Sequence, residues 1–173
     1  ARMYPHHFKG EGQFVAHLQF KGQNKTGKFK SSKTNLSREQ LSLWQDFEKK
    51  YLREKLLGVL QVFGDQLYLL PGVLPDIGQL KIARNGLHLG TFKKKRFEPS
   101  FALGLALKPS QVKQSLEISQ EDFAKYVAGE TVQLEQNYSN GWYQVLVGGN
   151  GLGFAKVTGN TLKNYFPKGL RFR

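Results

Sequence analysis

Paired turn residues cut much of this chain into short apolar runs, and that punctuation constrains the fold more than any other feature. Val59 to Phe63 and Gln66 to Leu70 flank Gly64-Asp65, and Leu80 to Arg84 and Leu87 to Phe92 flank Asn85-Gly86. Gly141 to Val147 and Leu152 to Val157 flank Gly148-Gly149-Asn150-Gly151, with a further turn expected at Gly159-Asn160 before Leu162. Gly and Asn accept the positive φ that tight hairpins demand, so each pair predicts two antiparallel strands. The same context disposes of Gly149-x-Gly151-x-Gly153 as a phosphate loop. Such a loop passes from a strand into a helix, and here strands are expected on both sides.

Helical signals are fewer. Ser37 with Gln40 makes a capping box, and Leu41, Trp44, Glu48, Tyr51, Leu52 and Lys55 trace one helical face to about residue 55. Glu98-Pro99-Ser100 is expected to open a short buried helix over Phe101 to Leu107, closed off by Pro109. Ser115 to Ile118 reads as a strand, and Ser119 caps a helix over Gln120 to Val127 that ends at Gly129. Upstream, Gln13 to Phe20 reads as a strand buried on both sides, and Lys21 to Thr34 as a Gly, Ser and Lys-rich linker. The expected organisation is an N-terminal segment, 1–36, then two small domains, 37–108 and 109–173. The last of these is a compact, barrel-like β domain.

Composition narrows the chemistry. The 173 residues carry 26 Lys plus Arg against 13 Asp plus Glu, a net charge of +13, with 39% apolar and 13% aromatic residues. That apolar share is too high for a disordered basic tail. The absence of cysteine excludes disulfides, thiolate zinc sites and cysteine nucleophiles within the chain. No stretch approaches the length of an apolar membrane span and the N-terminus lacks a signal-peptide core, so the expectation is a cytoplasmic protein with no membrane partner. His6, His7 and His17 have no carboxylate cluster beside them to make a metal site. No Ser, His and Asp arrangement stands in a nucleophile context either. The residues alone describe a binder, and a field of this sign is most simply neutralised by a polyanion.

Two runs carry the binding chemistry. Lys93, Lys94, Lys95 and Arg96 follow a strand, so that at least two of the cations reach phosphates together or, alternatively, guard a sheet edge against aggregation. Lys163-Asn164-Tyr165-Phe166-Pro167-Lys168-Gly169-Leu170-Arg171 interleaves rings, an amide and cations, the mixture used on single-stranded RNA. One of Tyr165 and Phe166 is expected to close the core, and Trp142 to lie in it. Downstream of Glu135 no acid opposes Lys156, Lys163, Lys168, Arg171 and Arg173.

In combination these strings resemble the C-terminal part of the RsmF-like branch of the Sun (Fmu) RNA cytosine-C5 methyltransferases, in the NOL/NOP/Sun family. Arg2 to His7 and Gly10 to Ala16 are similar to the close of that family's Rossmann-like, S-adenosylmethionine-binding catalytic domain. Gly86-Leu87-His88-Leu89-Gly90 and Arg96-Phe97-Glu98-Pro99-Ser100 resemble its middle C-terminal domain. Gly153-Phe154-Ala155-Lys156 and Leu162 to Arg171 resemble its PUA-like RNA-binding domain. The resemblance implies an α+β fold: a remnant strand of the catalytic domain, a middle domain and a PUA-like mixed β barrel. It further implies methyl transfer to carbon 5 of a ribosomal RNA cytosine through a cysteine adduct, with rRNA, alone or within a ribosomal subunit, as partner. This chain lacks both active-site cysteines and the cofactor loops, so the resemblance implies no catalytic, cofactor-binding or metal residue here, and the catalytic domain would act in cis. What carries over is the RNA-binding set: Lys93, Lys94, Lys95, Arg96, Lys156, Lys163, Asn164, Tyr165, Lys168 and Arg171. The alternative is a protein-docking or structural module with only non-specific affinity for RNA.

Overall fold

The computed structural model describes residues 33–75 and 86–172, together with the backbone of three short strands nearer the N-terminus. Two of these, β1 (Arg2–Met3) and β2 (Gln13–Phe14), pair antiparallel. The rest of the expected Gln13 to Phe20 strand, the three histidines, and the Leu80 to Arg84 strand with its Asn85 turn lie outside the described residues. The third, β3 (Phe29–Ser31), falls in the expected linker but pairs antiparallel with β6 (Val73–Pro75).

Helix α1 (Arg38–Tyr51) begins as expected, with both hydrogen bonds of the Ser37/Gln40 capping box present. Trp44, Phe47, Glu48 and Tyr51 are its buried residues, the i, i+3, i+4, i+7 face of an amphipathic helix. It stops four residues short of the expected end because Leu52 turns extended and bridges Val112. The helix packs on an antiparallel sheet of order β4 (Val59–Phe63), β5 (Gln66–Leu70), β7 (Leu87–Lys93) and β8 (Arg96–Pro99). Gly64 supplies the positive φ of the first hairpin, at +62°. Strand β8 corrects the sequence reading. Glu98 and Pro99 close a sheet edge rather than opening a helix, and Ser100 alone caps α2 (Phe101–Ala106), its Oγ accepting the Leu103 N–H at 2.9 Å.

The second unit holds β9 (Ser115–Glu117), α3 (Gln120–Ala128) and two long strands, β10 (Val132–Val147) and β11 (Asn150–Lys163). Its sheet is mixed, with β9 parallel and β11 antiparallel to β10, and it stays open at both edges among the described residues. The expected four-residue loop is a two-residue turn, Gly148-Gly149, with φ of +56° and +76°. Gly159-Asn160 is no turn but part of β11, at a register irregularity where the Gly159 N–H donates to Asn140 Oδ1 at 3.0 Å.

The β10–β11 hairpin separates two cores. Its period of two sends Trp142 and Phe154 into the core built on α1, with Trp44, Phe47 and Phe97, while Tyr143, Val145, Ala155 and Val157 join Tyr126 and Phe166 on the other side. Helix α2 lies against the first face at backbone distance. A Cβ on Gly104 would stand 2.5 Å from Gly153 Cα, so only glycine admits this approach. Beside it the fully buried Gln144 donates through Nε2 to Gly104 O at 2.9 Å and Leu107 O at 2.8 Å, satisfying carbonyls at the end of α2.

Candidate nucleic-acid interface

Lys93 to Arg96 form the tip of the β7–β8 hairpin: Lys93 pairs with Arg96, and Lys94 and Lys95 make the turn. Lys95 has φ of 56°, the non-glycine residue with positive φ among those described. The tip divides its cations between two hollows. Lys93 reaches Asp65 at 3.6 Å and, with Lys94 and Lys95, borders a hollow beside the start of α1. Arg96 lines a different hollow, a cleft where the two units meet.

That cleft has a volume of about 270 Å³ and is lined by Lys50, Tyr51, Arg96, Phe97, Glu98, Asn140, Gly141, Trp142 and Lys156. Strand register builds it. Trp142 lies directly opposite Lys156 across β10 and β11, and opposite residues present their side chains to the same face. Lys50 enters from the last turn of α1 and Arg96 from the first residue of β8. Arg96 Nε donates to Glu98 Oε1 at 2.8 Å, so its charge is partly offset, whereas Lys50 and Lys156 have no acidic partner within 4.0 Å among the described residues. Tyr165 packs edge-on against Trp142, ring centroids 4.7 Å apart. Burial raises its phenol pKa, the charge of Glu98 raises it further and Arg96 opposes the shift.

The remainder of the C-terminal run faces inward or stands apart. Asn164 Nδ2 donates to Tyr126 O at 2.6 Å and Glu130 O at 2.8 Å, and its Oδ1 accepts the Phe166 N–H at 2.9 Å. Both amide hydrogens are thereby committed to the fold, fastening the end of α3 to the chain after β11. Arg171 is half-buried against Gly129, the left-handed cap of α3, where a Cβ would stand 2.5 Å from the guanidinium carbon. A cation there complements the negative end of the helix dipole. Phe166 is the ring that closes the core, and it helps bury Tyr126, whose phenol is pushed up to about 12. Lys163 and Lys168 are exposed.

Two family descriptions match these units in turn: the RsmF rRNA methyltransferase first C-terminal domain over residues 46–107, and the methyltransferase RsmF PUA domain over residues 113–172. The chain belongs to the RsmF methyltransferase family. Curated relatives agree. The protein named ribosomal RNA small subunit methyltransferase F of Shewanella oneidensis is 32% identical over 114 residues, covering 65% of this chain and 24% of that protein. The one from Photobacterium profundum is 23% identical over 179 residues, 97% of this chain and 37% of its own length. The matched stretch therefore spans between 24% and 37% of these RsmF relatives. In RsmF terms, Lys50 and Arg96 of the cleft come from the first C-terminal domain, and Asn140, Trp142 and Lys156 from the PUA domain, which also supplies Tyr165.

Of the ten sequence-nominated residues, the structure brings Arg96 and Lys156 into the cleft and packs Tyr165 on its Trp142. It adds Lys50 and Asn140, which sequence reasoning missed because Lys50 is one of several cations along α1 and just after it, with nothing local to single it out, and Asn140 lies in the polar first half of β10. A second basic hollow, holding Lys49, Arg53, Lys55 and Lys113 with Glu48 and Glu54, is tied up differently. Lys113 Nζ donates to Lys49 O at 2.6 Å and Arg53 Nε to Val112 O at 3.2 Å, so these two cations join the units.

Proposed function

We propose that this chain grips small-subunit ribosomal RNA and positions it for a methyltransferase domain in cis, which transfers a methyl group from S-adenosylmethionine to carbon 5 of a cytosine in the cytoplasm. The observation that carries the reading is the convergence of Lys50, Arg96 and Lys156 from two family domains on one cleft, with Tyr165 packed on its Trp142, in a chain of net charge +13. Phosphate contacts supply most of the affinity of such a grip and make it salt-dependent. The names of the relatives support ribosomal RNA as its partner. Among the described residues no glycine-rich turn leads from a strand into a helix as a cofactor loop would. The Gly148-Gly149 turn joins two strands instead of leading into a helix N-terminus, and the chain has no cysteine to form the base adduct. No methyl-transfer step therefore runs through the described residues.

A protein-docking reading has its own support in Leu57 and Phe172, exposed to 94% and 69%. Binding to small-subunit rRNA fragments across a salt series, with heparin as competitor, separates the two. A steep slope with heparin-resistant preference for one RNA is expected. Binding that heparin abolishes would favour docking.

A further inference from the structure

The junction cleft carries groups that a grip on phosphates alone does not require. Tyr165 is not one of the residues that line it but packs on one that is, Trp142, with 70° between the rings, and is itself 40% exposed. Asn140 lines the cleft with its Oδ1 already occupied by the Gly159 N–H. That bond assigns the amide orientation and makes the NH2 the group left to donate. The floor beside it is Gly141, where a Cβ would stand 3.2 Å from the Tyr51 hydroxyl and 3.3 Å from Gln114 Oε1, an acceptor without a partner among the described residues. At about 270 Å³ the cleft falls just below the range of roughly 300–1,000 Å³ typical of drug-sized ligands, room for a single planar ring system.

We propose that this cleft is a subsite for one unpaired nucleotide: Tyr165 stacks on the base, the Asn140 NH2 donates to an acceptor on the base edge, and Lys50 and Lys156 take the flanking phosphates. The inference rests on the RNA-binding reading and narrows it. A duplex keeps its bases stacked on one another and its edges paired, so it offers neither a ring face nor a base edge to these groups.

Fluorescence anisotropy of the full chain with a short labelled single-stranded RNA, and with the same sequence as a blunt duplex at the same salt, tests it. Tyr165→Ala is expected to weaken the single strand about tenfold and leave the duplex unchanged, while Tyr165→Phe stays close to the parent chain. Tyr165→Leu keeps an apolar contact on Trp142 without an aromatic face, and gives the same answer should the alanine variant not fold. Equal loss on both RNAs, or loss on neither, would overturn the subsite while RNA binding stood. Failure of the parent chain to bind either RNA would overturn the subsite together with the reading beneath it.

Discussion

The two faces of the β10–β11 hairpin are built on different rules. The face with Tyr143, Val145, Ala155 and Val157 is sealed: apolar side chains fill it, and Asn164, Phe166 and Arg171 close its margin against α3. The face with Trp142, Gln144, Phe154 and Lys156 meets another unit and is mixed. Its deep part is a backbone-close contact with α2, and its margin is the cleft, where charges from both units stay wet. A boundary between two small units leaves a concavity that a single core would fill, and such junctions are where binding sites concentrate. Substitutions on the two faces should therefore separate stability from binding.

The largest effect is expected at the deep part of the mixed face. Gly104→Ala sets a Cβ 2.5 Å from the backbone of Gly153, where no flexible side chain can give way, and overpacking of this kind costs about 3 kcal/mol. Urea unfolding would show a lowered midpoint; an unchanged one would mean the junction is softer than its geometry. On the sealed face, Asn164→Ala removes three hydrogen bonds to backbone groups that are partly accessible to water, for an expected loss of about 2 kcal/mol. RNA affinity of the folded fraction should not change. A loss of affinity at full stability would move Asn164 from the fold to the interface.

The margin of the mixed face should behave in the opposite way. Changing Lys50, Arg96 and Lys156 together to alanine removes three exposed cations, and the unfolding midpoint is expected to hold. The slope of log K against log salt on single-stranded RNA should fall by about 2, at roughly 0.7 per phosphate contact. An unchanged slope would place the phosphate path elsewhere, with Lys94 and Lys95 at the hairpin tip next to be tested.

Much of this division was legible in the sequence, and the gaps have physical causes. Gly141 to Val147 reads plainly as a strand, but a run that is apolar on both faces does not name the neighbour of each. Nothing local says that Trp142 meets α1 while Tyr143 meets α3. The hairpin tip hid because Lys94-Lys95 contains neither Gly nor Asn, so a lysine adopts the positive φ and β8 was read as the start of a helix. The first half of β10 hid because Gln133, Glu135, Gln136, Asn137 and Ser139 face solvent and leave little apolar pattern. Asn164 read as a binding residue because its partners, Glu130 O and Tyr126 O, lie 34 and 38 residues away. Tyr165 and Phe166 were correctly expected to divide between surface and core, because adjacent rings on an extended segment point apart.

The smallest expected effect lies outside both faces and checks that they are independent. His88 sits half-buried in β7, its ring 5.0 Å from Tyr68 and its Nε2 3.1 Å from Gly90 O. Burial lowers its pKa, opposed by the Gly90 carbonyl and the charge of Asp65. A folded-state pKa below that of the unfolded chain, about 6.5, means that the unfolded state takes up the proton first. The contribution is thus complete above about pH 6.5 and is lost as pH falls through the lower folded value. Acidification from neutrality should lower the unfolding midpoint slightly, and His88→Phe should flatten that part of the profile. RNA affinity of the folded protein should not fall over the same interval, since His88 is not among the residues that line the cleft. If affinity fell in step with stability, the cleft would depend on the sheet that holds His88, and the two faces of the hairpin would not be separable in function.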